Sequence, residues 1–377
     1  MQSNPARVIR IDQPKQLHVG NGEASKTGNW ATAKGYSKIL VLTSRSIAGM
    51  VGRMKLPGNV LIFADVQPEP QDTILEAAIV QARLHRPDLI IGLGGGSVMD
   101  ISKLVVALWN SEQQLADIVG PDRVEKKCSA LALLPTTAGT GSEAGIRALV
   151  TNSKTKQKMA IESPLLSADF VVLDPSLTFS VPSDITASTG IDAMAHCVEA
   201  FTSLRSHDMI DGYARMGIAL IGRYLARAVK QGDDAEAREG MMLASYYGGV
   251  CLGPVNTAAG HALAYPLGSH LGLPHGLANA LIFPHVLAYN VSVCESKTIE
   301  VLTALGLSYD GSEQALLKSC RGFCIDLGID MKLSAHGAQS ADLAQWATEA
   351  HGIRRLMDNN PRDMAVKDVL AIYKAAL

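Results

Sequence analysis

"PDLIIGLGGGSVMDISKLVVALWN", Pro87–Asn110, passes from an apolar run through three glycines into a stretch with helical periodicity. A short run with no polar residue, Leu89–Leu93, is the mark of a strand buried on both faces, as in a parallel sheet. Gly94, Gly95 and Gly96 let the backbone approach a bound group. The first N–H groups of the next helix then face that group with the positive end of the helix dipole. The stretch predicts a strand, a phosphate-cradling turn and a helix. It matches neither GxGxxG nor the P-loop pattern, so its strand-to-helix context carries the reading.

The flanking sequence repeats the theme. "SKILVLTS" (Ser37–Ser44), "NVLIFADV" (Asn59–Val66), "SALALLPTT" (Ser129–Thr137) and "DFVVLDP" (Asp169–Pro175) read as strands. "TILEAAIVQARLH" (Thr73–His85) reads as a helix. Alternating strands and helices predict a parallel sheet covered on both faces. A second loop, "LLPTTAGTGSEAG" (Leu133–Gly145), follows another strand end and carries the hydroxyls of Thr136, Thr137, Thr140 and Ser142. Such a loop suits phosphate, ribose or nicotinamide contacts, because ligands of open α/β sheets sit beyond the carboxyl ends of the strands.

The texture changes at "DPSLTFSVPSDITA" (Asp174–Ala187), where Ser183 is a candidate helix cap. Beyond it run long helical patterns such as "ASTGIDAMAHCVEAF" and "SADLAQWATEAH". The expected fold is an α/β dinucleotide-binding domain with a parallel sheet over residues 1–181, followed by an all-helical domain over 182–377.

Bulk composition fits two packed domains. The chain has 377 residues, 47% of them hydrophobic, and a mean hydropathy of +0.13. A net charge of −2 offers no global field for nucleic acid or an anionic membrane. The six cysteines lack framework spacing and read as reduced thiols of a cytoplasmic protein, with Cys320 and Cys324 structural. The N-terminus has no apolar signal region, and no uncharged run holds roughly 18 consecutive apolar residues, so no membrane span is expected.

Chemistry gathers in the second half. "GIDAMAHCVEAF" places Asp192 and His196 four apart, on one face of a helix. A carboxylate buried in so apolar a helix needs a cation or a hydrogen-bond network. "GHALAYPLGSHLGLPHG" (Gly260–Gly276) holds three of the chain's ten histidines, His261, His270 and His275. Asp192, His196, His261 and His275 together make a sound ligand set for a divalent transition metal, Fe2+ or Zn2+.

The GGGS turn, "PTTAGTGSE", "DAMAHCVEAF" and "GHALAYPLGSHLGLPHGLANALIFPHVLAYN" occur in order over most of the chain. In these motifs it resembles the iron-containing (group III, metal-dependent) alcohol dehydrogenases. The resemblance implies a dehydroquinate synthase-like architecture with the site in the cleft between two domains. It implies hydride transfer between the nicotinamide C4 of NAD(P)(H) and a metal-bound small alcohol or aldehyde, in a homodimer. It makes Asp192, His196, His261 and His275 the metal ligands and Gly95, Gly96 and Ser97 the pyrophosphate contacts. Asp100, Thr136, Thr137, Ser142 and Lys158 would also line the cofactor site. His270 and His285 match no ligand position.

Three departures from that family bear on function. Tyr265 stands where many members have a proton-relaying histidine, and a phenol can serve if its pKa is lowered. The end of the first long strand reads Thr43-Ser44-Arg45, without the aspartate that NAD-preferring relatives carry. With Ser44 and Arg45 there, the 2′-phosphate of NADP is admitted and NADP is the expected preference. Arg147 would pair with an acidic tail on the substrate if it faces the metal cleft, and otherwise belongs to an internal ion pair or the surface. Competing readings are a glycerol-dehydrogenase-like enzyme, a dehydroquinate-synthase-like lyase, and an inactive nucleotide- or metal-binding protein.

Overall fold

The computed structural model describes residues 8–377. Among them the chain divides into two compact units, Asp12–Val181 and Pro182–Leu377, and the described residues before Asp12 group with the second.

The first unit contains β1 (Leu17–Val19), α1 (Lys26–Ala33), β2 (Lys38–Leu42), β3 (Asn59–Phe63), α2 (Asp72–His85), β4 (Leu89–Gly94) and α3 (Gly96–Leu108). It continues through α4 (Leu115–Ile118), β5 (Gly120–Pro121), β6 (Ala130–Pro135), β7 (Arg147–Thr151), β8 (Lys158–Glu162) and β9 (Phe170–Leu173). Six strands form one sheet in the order β1-β9-β6-β4-β2-β3, and every pairing in it is parallel. β4 lies inside this sheet with all six residues buried, which is why its sequence lacks the polar alternation of a half-exposed strand. Its register puts Gly94 beside Pro135 of β6 and Gly92 beside Leu42 of β2. The turn after β4 therefore opens at the carboxyl edge shared by these three strands.

Two features were not anticipated. β1 is a short strand at the sheet's edge, and β5, β8 and β7 make a separate small sheet in which β7 and β8 run antiparallel. The β7–β8 hairpin carries Arg147, Glu162 and Lys158.

The second unit is helical: α5 (Ser183–Thr202), α6 (Asp208–Lys230), α7 (Ala235–Leu252), α8 (Ala259–Leu271), α9 (His275–Ala304), α10 (Glu313–Asp326), α11 (Leu343–His351), α12 (Arg354–Met357) and α13 (Val366–Ala376). Ser183 is the first helical residue of α5 rather than its cap; Pro182 holds the cap position and no side chain closes it. α5 is buried along most of its length, which explains a sequence apolar nearly all round. α8 ends at Gly272, whose φ of 67° is the left-handed stop that glycine accepts without strain. α9 is long and apolar enough to cross a membrane by composition, but 72% of its apolar window is buried inside the protein. The six cysteines are free thiols, and burial raises the pKa of both Cys320 and Cys324.

Candidate active site

Three helices of the second unit converge on one carboxylate. α5 supplies Asp192 and, one turn later, His196; α8 supplies His261 from its first turn; α9 supplies His275 as its first residue. The Nε2 atoms of His196, His261 and His275 lie 3.8, 3.6 and 3.8 Å from Asp192 Oδ1. One donor atom from each of the four residues lies within 4.8 Å of the other three. Tetrahedral coordination with bonds of about 2.1 Å would set neighbouring donors roughly 3.4 Å apart, so a small contraction fits this set to one ion. Asp192 is 1% exposed and His261 3%. His261 Nε2 is buried and has no hydrogen-bond partner, a state that is costly unless something electropositive faces it.

The electrostatics agree. Burial would raise the Asp192 pKa, but His196, His275 and His261 outweigh it and hold the carboxyl far below its usual range. Burial would lower the His261 pKa, but Glu199 and Asp192 raise it to about 10. The pocket thus has an excess affinity for positive charge, which a proton or a metal ion can meet.

Two residues that the sequence reading missed support the cluster. Glu199 is buried on α5 three residues after His196. It accepts from the backbone N–H groups of Ala258 and His261, the latter at 3.1 Å, and lies 3.1 Å from His261 Nδ1. This contact fixes the His261 ring with Nε2 facing Asp192. The space for Glu199 exists because residue 260 is glycine: a Cβ there would stand 2.0 Å from Glu199 Oε1. Asn279, four residues after His275 on α9, donates to Asp192 Oδ1 at 2.6 Å, and its Nδ2 lies 3.2 Å from His275 Nε2. Spacing of three or four from a ligand on an apolar helix was the available signal for both.

In the first unit, Gly95 caps α3 in an extended conformation and Gly96 begins the helix. A Cβ on Gly96 would lie 2.7 Å from Thr140 Cγ2, and one on Gly95 3.2 Å from Thr137 Oγ1. The glycine turn and the threonine loop are thus packed together, most tightly at Gly96. Thr136 is buried, and its backbone N–H bonds to Gly94 O. The Ser97 hydroxyl accepts from Glu69 N at 3.2 Å.

Residues 14–175 match the family described as "Iron-containing alcohol dehydrogenase". Residues 186–377 match the one described as "Fe-containing alcohol dehydrogenase family, C-terminal". The chain belongs to the iron-containing alcohol dehydrogenase family. It is 35% identical to long-chain-alcohol dehydrogenase 1 of Geobacillus thermodenitrificans, over 98% of this chain and 97% of that one. It is 32% identical to the probable alcohol dehydrogenase EutG of Escherichia coli, over 99% and 96%. The solved structure of a 1,3-propanediol oxidoreductase superposes with a TM-score of 0.93 at 29% identity, covering 98% of this chain and all of that one. As an iron-containing alcohol dehydrogenase, the protein is an oxidoreductase of CH–OH groups that uses a divalent metal and a nicotinamide cofactor. The fold and family expected from the motifs hold.

Several expected residues of this dehydrogenase have other local roles. Asp100 accepts from Ser142 Oγ at 2.6 Å and from Leu149 N at 3.0 Å. Lys103, which the sequence reading passed over, donates to Ser142 O, Ser142 Oγ and Arg147 O. Asp100 and Ser142 therefore brace the threonine loop. Burial lowers the Lys103 pKa to about 8 and raises that of neighbouring Glu143 to about 7. Lys158 pairs with Glu69 at 2.6 Å.

Arg147, expected to meet an acidic substrate tail or to belong to an internal ion pair, has a carboxylate partner in the small sheet. Its guanidinium is engaged by Glu162 across the β7–β8 hairpin, at 2.6 Å from Nη2 and 3.0 Å from Nε. It takes the internal-ion-pair alternative. Arg45 lies 2.6 Å from Asp65, which follows β3. Ser44 Oγ is 2.9 Å from Ser46 Oγ.

Tyr265 is near the metal-ligand cluster. Its ring centroid is 6.0 Å from that of His275, and its hydroxyl accepts from Arg355 at 3.1 Å. His270 pairs with Glu349 and stacks on Trp346. His285 is buried, and burial with the Arg321 charge lowers its pKa to about 4. Neither histidine joins the four-donor group.

Proposed function

We propose that the enzyme interconverts small uncharged alcohols and aldehydes, holding Fe2+ with Asp192, His196, His261 and His275. The single observation that carries this is the set of four donors, three of them buried, all within 4.8 Å of one another. The softness of three imidazoles and one carboxylate also admits Zn2+. When bound, the ion supplies Lewis acidity at the substrate oxygen and the nicotinamide supplies or takes the hydride.

The chain's own residues do the rest. Glu199 and Asn279 orient the imidazoles and the carboxylate. Gly95, Gly96 and Ser97 receive the cofactor pyrophosphate at the start of α3, with Thr136 and Thr137 beside it. Tyr265 Oη gives or takes the proton of the substrate hydroxyl, held in place by the Arg355 guanidinium that donates to it. The neutral substrate follows from Arg147, whose charge is already matched by Glu162. Both NAD(H) and NADP(H) are admitted, because Arg45 is present for a 2′-phosphate and Asp65 for a 2′-hydroxyl. Cytoplasmic placement rests on the six free thiols. The homodimer rests on the family resemblance and is tested by light scattering.

The test is chelation followed by anaerobic addition of Fe2+ or Zn2+, with reduced-nicotinamide oxidation followed on short neutral aldehydes and on carboxylate- or sulfonate-bearing ones. The proposal expects turnover that is lost with the metal, returns with it and favours the neutral substrates. Equal turnover by the stripped protein would overturn the metal assignment, and preference for acidic aldehydes would overturn the neutral substrate.

A further inference from the structure

Two adjacent asparagines, Asn359 and Asn360, follow α12, and each is 2% exposed. A buried amide needs partners for its polar atoms. Asn359 finds them on three elements. Its Nδ2 donates to Thr257 O at 2.8 Å and to Arg355 O at 3.2 Å. Its backbone carbonyl accepts from Ser203 Oγ and from Leu204 N, both at 3.0 Å. α5 ends at Ser203, and Thr257 lies two residues before the start of α8. Asn359 thus joins the end of the helix carrying Asp192, His196 and Glu199 to the entry of the helix carrying His261. Asn360 extends the clamp to α9, the helix of His275: Asn360 and Asn290 exchange amide hydrogen bonds at 2.9 and 2.8 Å.

The bond to Thr257 O reaches the metal site by a short route. Thr257 O and Ala258 N belong to one peptide group. Its carbonyl accepts from Asn359, and its N–H donates to Glu199 Oε2. Glu199 Oε2 in turn lies 3.1 Å from His261 Nδ1. A carbonyl that accepts a hydrogen bond polarises its peptide, which makes the N–H on the other side a stronger donor. The chain also needs holding here. Asn256 has a φ of 73°, in the left-handed region that residues other than glycine rarely enter. Such a bend persists only where its surroundings fix it.

We propose that Asn359 is a positioning residue of the metal centre. It sets the Thr257–Ala258 peptide, the peptide sets Glu199, and Glu199 sets the ring of His261. This rests on the metal reading above. Among the described residues the Asn359 amide bonds to no metal ligand, so its effect passes through Glu199.

The experiment compares wild type with Asn359→Ala, Asn359→Leu, Glu199→Gln and the double variant Asn359→Ala/Glu199→Gln. Zn2+ affinity is read by competition with a chromophoric chelator, and the visible spectrum of the Co2+-loaded protein reports the ligand geometry. Asn359→Leu removes the donor but keeps most of the volume. In either variant the backbone carbonyl of residue 359 remains for Ser203 and Leu204. Tyr373→Phe is the structural control: it removes a buried bond to the α8 backbone, from Tyr373 Oη to Leu263 O at 2.6 Å, that lies off the route through Glu199. Both Asn359 variants should weaken Zn2+ by about tenfold and shift the Co2+ bands, as expected for a group that orients a ligand from outside the coordination sphere. Tyr373→Phe should stay within about threefold of wild type, and the double variant within about threefold of Glu199→Gln, because residues acting in series are not additive. Zn2+ affinity close to wild type in both Asn359 variants, an equal loss in Tyr373→Phe, or losses that multiply in the double variant would overturn the inference alone. Wild-type protein that binds no Zn2+ would instead overturn the metal reading on which it rests.

Discussion

Gly260→Ala tests how the metal-binding geometry is held. The new Cβ would stand 2.0 Å from Glu199 Oε1, whereas ordinary contact begins at 3.4 Å, so the carboxylate must retreat by the difference, 1.4 Å. Glu199 is a flexible side chain and can move, but not without loss. Its oxygens accept from two backbone N–H groups and face His261 Nδ1. Oε1, 3.1 Å from His261 N, would be carried out of hydrogen-bond range. A buried charge-assisted bond of this type contributes about 1.5–3 kcal/mol. The His261 ring then loses the partner that sets its orientation, a change that weakens metal affinity by about 10–100-fold. The assay is competition for Zn2+ between stripped protein and a chromophoric chelator, with thermal unfolding of the metal-free forms alongside. Glu199→Gln is the paired variant: it keeps the volume but sets an amide against donors, and should weaken the metal to a similar extent. Metal affinity within about threefold of wild type in both variants would refute the claim that Glu199 positions His261.

Other outcomes follow from the same contacts. Tyr265→Phe should lower kcat by about 10²-fold on small alcohols while leaving metal content unchanged; full activity would remove Tyr265 from proton transfer. Arg147→Ala should alter kcat/KM equally for neutral and acidic aldehydes, because its guanidinium serves Glu162; selective loss on acidic ones would restore it as a substrate anchor. Glu143 has a pKa raised from 4.5 to about 7 by burial. A raised acid favours the folded state below its ordinary pKa, and that contribution is lost as pH rises through the folded one. Wild-type unfolding free energy, followed by denaturant titration, should carry a falling component between pH 4.5 and about 7; Glu143→Gln should remove it, and an unchanged profile would contradict the burial argument.

The elements that place the chemistry were legible because each is local. β4, the glycine turn and α3 are consecutive, so the absence of polar residues in Leu89–Leu93 and the helical period after Gly96 sufficed. Asp192 and His196 share a helix face by spacing alone. What was not legible depends on distant pairing. Arg147 meets Glu162 only because β7 and β8 form an antiparallel hairpin, and the strand runs sought were those of a parallel sheet. Asp65 meets Arg45 because β2 and β3 are neighbours in register, which no pattern in residues 43–45 reveals. Glu199 and Asn279 occupy ordinary helix positions until the ligands beside them give them a partner. Ser183 has the composition of a cap, but Pro182 took that position and left the serine inside the helix.

The most direct measurement is anomalous diffraction at the iron edge from crystals of the Fe2+-loaded enzyme. The account predicts one peak per chain, about 2 Å from a carboxylate oxygen of Asp192 and from Nε2 of His196, His261 and His275. A peak elsewhere, or one bound by a different set of residues, would contradict it.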